Sequence, residues 1–184
     1  MPYDVRRDFI GYGANPPDPK WPNGARIAVN FVMNYEEGSE PSIQDGEGHT
    51  EIGLSDASRM GQSIQGRDLA AEGLFEYGSR VGFWRLMRLF QERGLPMTIF
   101  GVGMALQRYP ELLDVFMKNG YEIANHGLRW IHYQNLPEAT ERRHVGVATH
   151  LLKELTGGAW PAGWYTGRDS PNTRRLVADL GGYE

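Results

Sequence analysis

The chain has no cysteine, so disulfides, thiolate catalysis and cysteine-based zinc sites are all excluded. It also lacks a strong excess of either charge: 19 basic against 23 acidic residues give a net charge of -4, with a pI near 5.8. That balance offers no electrostatic reason to expect nucleic acid or an anionic membrane as partner. No apolar run approaches the length of a membrane span. The opening residues Met1-Pro-Tyr-Asp-Val-Arg-Arg-Asp8 contain no apolar stretch of a secretory signal, so a cytoplasmic protein is expected. Internal repeats and low-complexity tracts are missing too. What is present is ordinary for a globular protein: 184 residues, 40% hydrophobic and 23% charged, enough for one domain with a sizeable core.

Residues 11–24 are rich in proline and glycine and read as an extended lead-in. Residues 26–33 (RIAVNFVM) then read as a strand, nearly continuous in apolar side chains and so expected to be buried on both faces. Residues 39–72 are polar and too long for a plain connection, which predicts an inserted cap with some local structure. A helix is expected from Ser79 to Arg93, because Val81, Trp84, Met87 and Phe90 recur every third residue, and Gly94 ends it. A strand over 96–100, a helix over 110–118 and a strand over 121–125 follow. Asn135-Leu-Pro-Glu138 resembles a capping box opening a helix to about Leu155. A fourth strand over 162–166 and a fourth helix over 171–180 complete the pattern.

Strand and helix alternate about four times, which argues for a parallel α/β sheet or barrel. A closed barrel of this kind needs ~250 residues. The sequence ends at Gly181-Gly-Tyr-Glu184, where a fifth strand is due, so a barrel truncated after about four βα units is expected. In a parallel array the C-terminal strand ends share one face, and active sites are built there. Four polar or glycine clusters fall at such ends: Glu36-Glu37, Gly101-Val-Gly103, Asn125-His126 and Thr166-Gly-Arg-Asp169.

Each candidate has a plain structural reading beside the chemical one. Glu36 or Glu37 suits a general base activating water, or a cap or ion-pair partner for the insert. His126 suits an acid, a base or an oxyanion donor, or a satisfied structural histidine. A His-x-x-x-His pair at a strand end can close on a divalent ion. Here the second position is Trp130, whose indole offers an N–H and no lone pair. That N–H can donate to a developing oxyanion; a core role is the alternative. His132 leaves open a metal pair in another register. Arg168 can orient a carbonyl or carboxylate, or pair with Asp169 or a helix end. His49, His144 and His150 read as surface residues.

Four motifs carry a resemblance: Asn34-Tyr-Glu-Glu-Gly38, residues 76–84 (EYGSRVGFW), residues 126–134 (HGLRWIHYQ) and residues 163–172 (GWYTGRDSPN). With them the sequence resembles, from about Tyr3 to Tyr183, the PuuE-type allantoinases. These are a metal-independent branch of the polysaccharide deacetylase (NodB-homology) family. In metal-dependent members paired aspartates end the first strand and His-x-x-x-His ends the third; Glu36-Glu37 and Trp130 stand at those positions here. The resemblance implies a distorted (β/α) barrel over residues 1–184, present in part, with 39–72 narrowing the groove and supporting a homo-oligomer, a tetramer. It implies hydrolysis of the cyclic amide of (S)-allantoin to allantoate, with a small ureide as substrate and no metal or other cofactor. Glu36 would be the base, and His126 and Trp130 would stabilise the tetrahedral intermediate, with Glu37 orienting them. Arg168, Tyr165, Asn125 and His132 would meet the substrate. Two other readings stand beside it, a metal-dependent chitin-like polysaccharide deacetylase and a truncated, non-catalytic remnant.

Overall fold

A computed structural model describes residues 7–53, 56, 62 and 64–183. Three parallel strands form its sheet, β1 (Val32–Tyr35), β2 (Thr98–Gly101) and β3 (Glu122–Asn125), in the order β1-β2-β3. Val32 lies beside Thr98 and Tyr35 beside Gly101; Thr98 in turn lies beside Glu122 and Gly101 beside Asn125. The strands therefore end level with one another, and residues 36, 102 and 126 leave the sheet on one side. A parallel bridge between Asn125 and Trp164 carries the array one position further.

The crossovers are helical, as parallel pairing demands. Between β1 and β2 run α1 (Leu69–Tyr77) and α2 (Phe83–Arg93), joined by one π-turn over Gly78–Gly82. The Asp68 carboxylate accepts from the N–H groups of Ala70 and Ala71 and starts α1; Gly94, at φ 58°, ends α2. Helices α3 (Gly103–Arg108) and α4 (Glu111–Lys118) lead into β3. Helix α5 (Glu138–Leu155) leads to Trp164, and α6 (Thr173–Leu180) follows. The helices press Phe83, Met87, Leu106, Leu112 and Phe116 against Tyr35 and Ile99. Each such buried side chain contributes about 1.5–3 kcal/mol relative to exposure. Gly101 is required by this packing, since a Cβ there would lie 2.6 Å from Leu106 Cδ1.

Several expectations need correction. The first strand is shorter than 26–33 and is not buried on both faces: Ile27 and Val29 are 75% and 71% exposed, and the ladder starts only where Phe31 O accepts from Thr98 N–H. As the outer strand of the sheet, β1 has a neighbour on one side alone among the described residues. The helix expected at Ser79 is two helices and a π-turn, and α1 begins inside the stretch read as insert. The capping box is not formed, because Pro137 is the N-cap and its carbonyl accepts from Thr140 and Glu141, leaving Asn135 two residues outside. The fourth strand shrinks to the Trp164 bridge, flanked by hydrogen bonds from Ala162 N to Ile123 O and from Tyr165 N to Asn125 O. Positions 54, 55, 57–61 and 63 of the expected insert lie outside the described residues. Among the described residues no helix is long and apolar enough to cross a membrane.

Candidate active site

Glu36 and His126 leave the ends of β1 and β3 and meet across the end of β2. His126 Nε2 lies 2.8 Å from Glu36 Oε1, and Nδ1 lies 2.5 Å from the carbonyl oxygen of Tyr165. A carbonyl only accepts, so Nδ1 carries a hydrogen and donates it. The Nε2–Oε1 contact is the second hydrogen bond of the ring. Asn34 Nδ2 also donates to Oε1, at 3.0 Å, while Oε2 takes no hydrogen bond from the described residues. The imidazole is buried and stacks near Phe100 and Tyr165, whose rings lie 4.4 Å apart and nearly parallel. Tyr165 itself is 54% exposed, presenting a flat aromatic wall to solvent.

Trp130 stands beside this pair. A Cβ added to Gly167 would lie 3.0 Å from His126 Nε2 and 3.3 Å from Trp130 Nε1, so both nitrogens face one small space that only glycine leaves clear. The indole is buried, with Phe75 edge-on to one side and the Arg168 guanidinium 3.8 Å over its ring centre. The backbone N–H of Trp130 donates to Ser39 O, and Ser39 closes a turn by donating from N and Oγ to Glu36 O. The backbone of the base and that of the indole are thus tied through one serine.

The structure brings together Glu36, His126, Trp130, Tyr165 and Arg168. The others fall elsewhere. Glu37 does not orient His126 or Trp130: its Oε2 accepts from the Glu36 N–H, and its Oε1 rests against Gly78. It lines a separate open cavity of about 620 Å³ with Glu40, Glu72 and Arg108. Burial raises the Glu37 pKa above the usual carboxylate range, and the charges of Glu36 and Glu40 add to the rise. Asn125 does not face a substrate; it is fully buried, donates to Tyr183 Oη and Thr149 Oγ1, and accepts from Gly127 N–H. His132 is exposed and lines a shallow groove with Gly167 and Arg168. Arg168 pairs with Glu51, not Asp169, and is nine-tenths buried. His144 is half-buried rather than a surface residue. Its Nδ1 lies 3.0 Å from Tyr133 Oη, and burial lowers its pKa, with Arg143 and Arg129 adding to the effect.

Sequence reasoning missed Ser39, Glu51 and Gly167. Nothing in the polar run 39–53 sets Glu51 apart from its acidic neighbours. Gly167 had a signal, a glycine beside a candidate arginine, but its close approach to His126 is a tertiary fact.

A divalent ion at a hydrolytic centre of this kind takes three protein ligands or more. His126 and Glu36 are two donors already bonded to each other, and Trp130 contributes none. Among the described residues no group of three His, Cys, Asp or Glu side chains is placed to hold a metal. The described donor set does not fit a metal.

A family model, polysaccharide deacetylase, matches residues 72–184. A relative from Schizosaccharomyces pombe (strain 972), whose name places it among the polysaccharide deacetylases, is 37% identical over 177 residues; these are 95% of this chain and 55% of the relative. The crystal structure of a PuuE allantoinase is 50% identical with a TM-score of 0.87, covering 98% of this chain and 59% of that one. The structure of a probable polysaccharide deacetylase from Pseudomonas aeruginosa PAO1 is 52% identical with a TM-score of 0.88, covering 97% and 59%. The chain thus spans somewhat over half the length of the relatives it matches.

Proposed function

Because the chain belongs to the polysaccharide deacetylase family, we propose that it is a hydrolase of carbon–nitrogen bonds and, within that class, an allantoinase opening (S)-allantoin to allantoate without a metal. The observation that carries this reading is the Glu36–His126 pair with the Trp130 N–H beside it, where a metal-binding relative would need a second histidine. The 50% identity to a structure named PuuE allantoinase supports the same substrate.

Glu36 Oε2 faces a water and takes its proton as the oxygen attacks a ring carbonyl carbon. A C–O bond forms, and the carbonyl oxygen becomes an oxyanion. Trp130 Nε1–H is the donor for that oxygen, and His126 Nε2–H joins it as Glu36, on taking the water's proton, loosens its hold on that hydrogen, in a site from which burial has excluded most competing water. The ring C–N bond then breaks, and Glu36 returns the proton to the leaving nitrogen. Tyr165 supplies a flat wall for a planar hydantoin ring. His132 lies further along the groove, where the ureido arm extends. The family resemblance also carries a homo-oligomer, a tetramer, whose mass light scattering reads directly.

Hydrolysis of allantoin by the purified chain in chelating buffer tests the reading. Turnover is expected, and Glu36→Gln should reduce kcat by at least ~10³-fold, in the upper part of the ~10²–10⁴ range of general acid–base catalysis because the same group also protonates the leaving nitrogen. Its melting temperature should stay within about 2 °C, as expected for a near-isosteric change. Full activity in that variant removes Glu36 from the mechanism. A second reading, a metal-dependent polysaccharide deacetylase, is favoured by the names of two relatives. Stoichiometric zinc binding with deacetylation of a chitin oligomer would select it.

A further inference from the structure

We propose that Glu51 is a positioning residue of this site: its carboxylate holds the Arg168 guanidinium flat on Trp130, and so sets where the indole N–H stands beside His126. The inference rests on the reading in which that N–H serves the reacting oxygen. Glu51 comes from segment 39–53, remote from every strand end. Its Oε2 lies 2.8 Å from Arg168 Nη1, and the two side chains are only 4% and 6% exposed. Its other oxygen accepts from Gly53 N–H at 2.7 Å, and its own N–H donates to Pro41 O. Among the described residues, one carboxylate oxygen thus meets the segment's own backbone and the other the arginine.

The guanidinium needs this partner. A buried charge left unpaired is strongly unfavourable, so an arginine without a counter-charge swings toward water. Among the described residues Arg168 Nε has no hydrogen-bond partner, and the contacts they give the plane of the group are the Glu51 carboxylate and the Trp130 face. If the carboxylate goes, the indole loses its cover on that side. Two further ties show the same segment gripping the same place: Ser39 O accepts from the backbone N–H of Trp130, and Glu47 pairs with Arg129. Segment 39–53 is therefore a clamp on residues 129, 130 and 168, and Glu51 is the part of it that reaches the aromatic face.

The test is a Glu51→Gln variant of the full chain, read by nitrogen-15 NMR and by kinetics. The Trp130 indole N–H peak, assigned by its loss in Trp130→Phe, is expected to move by more than its line width, while those of Trp21 and Trp84 stay in place. Arg168→Lys, which keeps the charge and removes the planar stack, should move the same peak. On allantoin, Glu51→Gln should lower kcat about tenfold or more with KM within twofold, since the lost interaction concerns the transition state. A Trp130 peak unmoved in folded Glu51→Gln overturns the proposal. So does a kcat unchanged when the peak has moved. If the wild-type chain does not turn over allantoin, the functional reading fails and the NMR comparison still decides the role of Glu51. Should Glu51→Gln not fold, Glu51→Asp retracts the same charge by one methylene, and an unmoved peak there overturns the proposal equally.

Discussion

At Trp130 the side chain does two things that substitution can separate. Its ring packs between Phe75 and Arg168, and its indole nitrogen borders the same small space at Gly167 as His126 Nε2. Trp130→Phe keeps an aromatic face for Arg168 and removes the donor. Loss of one oxyanion donor costs ~10²–10³ in kcat, so a fall of that size with little change in KM is expected. A fall confined to KM would place the indole in ground-state binding instead. Glu37 gives the opposite kind of prediction, one of stability. Its folded pKa is raised by burial, so the folded state holds the proton more tightly than the unfolded chain does. Stability from this group is complete below the unfolded value and is lost as pH rises through the folded one. Glu37→Gln should therefore raise the melting temperature at pH 8 by about 2 °C, and the gain should vanish at acidic pH. Both glutamates were visible in the sequence as one motif. Which of them meets His126 was not, because consecutive residues leave a strand in opposite directions and the choice depends on where β3 lies.

The elements that were legible are those with a strong period. The apolar stripe of α2 and the short runs of β2 and β3 declare themselves, since burial of one face or both fixes their pattern. Helix α1 was hidden because it begins inside a polar stretch, and its start depends on the Asp68 cap rather than on periodicity. The end of α5 nearest the site shows what sequence cannot give. Glu141 is fully buried, and its carboxylate accepts from Ser170 Oγ at 2.6 Å and from the Thr173 hydroxyl. Those hydroxyls in turn accept from Asn172 N–H and Ser170 N–H, which fixes the turn between Arg168 and α6. A glutamate in the first turn of a helix reads as a solvated charge; here it is the anchor for the loop that carries Gly167 and Arg168. Glu141→Ala removes two charge-assisted hydrogen bonds and strands two buried hydroxyls, at a cost of about 2–4 kcal/mol. Thermal unfolding should fall by about 5–10 °C, and activity should fall even at temperatures where the protein stays folded. An unchanged melting temperature would mean that the loop stands without this tie.

Across the whole molecule, stability is graded from the centre of the sheet outward. Strand β2 has a partner on each side and places Ile99 in the core with Leu106, while β1 has a partner on one side alone among the described residues. Residues 7–30 are exposed throughout, and among the described residues their backbone–backbone hydrogen bonds are three turn contacts, from Gly13 to Ile10, Asn15 to Tyr12 and Ala25 to Pro22. Ile27 and Val29, 75% and 71% exposed, form an apolar flank before the first strand that the described residues leave largely uncovered, whereas Phe31 meets Phe90 edge-on. The continuous apolar run over 26–33 was read from the sequence as a strand buried on both faces, and its side chains are of the right kind for that. In the chain alone, the partner such a run requires is not among the described residues. Hydrogen exchange measures this gradient, because amides without stable hydrogen bonds exchange through openings that cost almost nothing. Amides of β2 and β3 should exchange ~10³-fold or more slowly than those of residues 16–30, a ratio equal to about 4 kcal/mol of difference in opening free energy. Slow exchange at Ile27–Asn30 in the purified protein would contradict an uncovered flank. If that protection also faded on dilution, another copy would be what covers it.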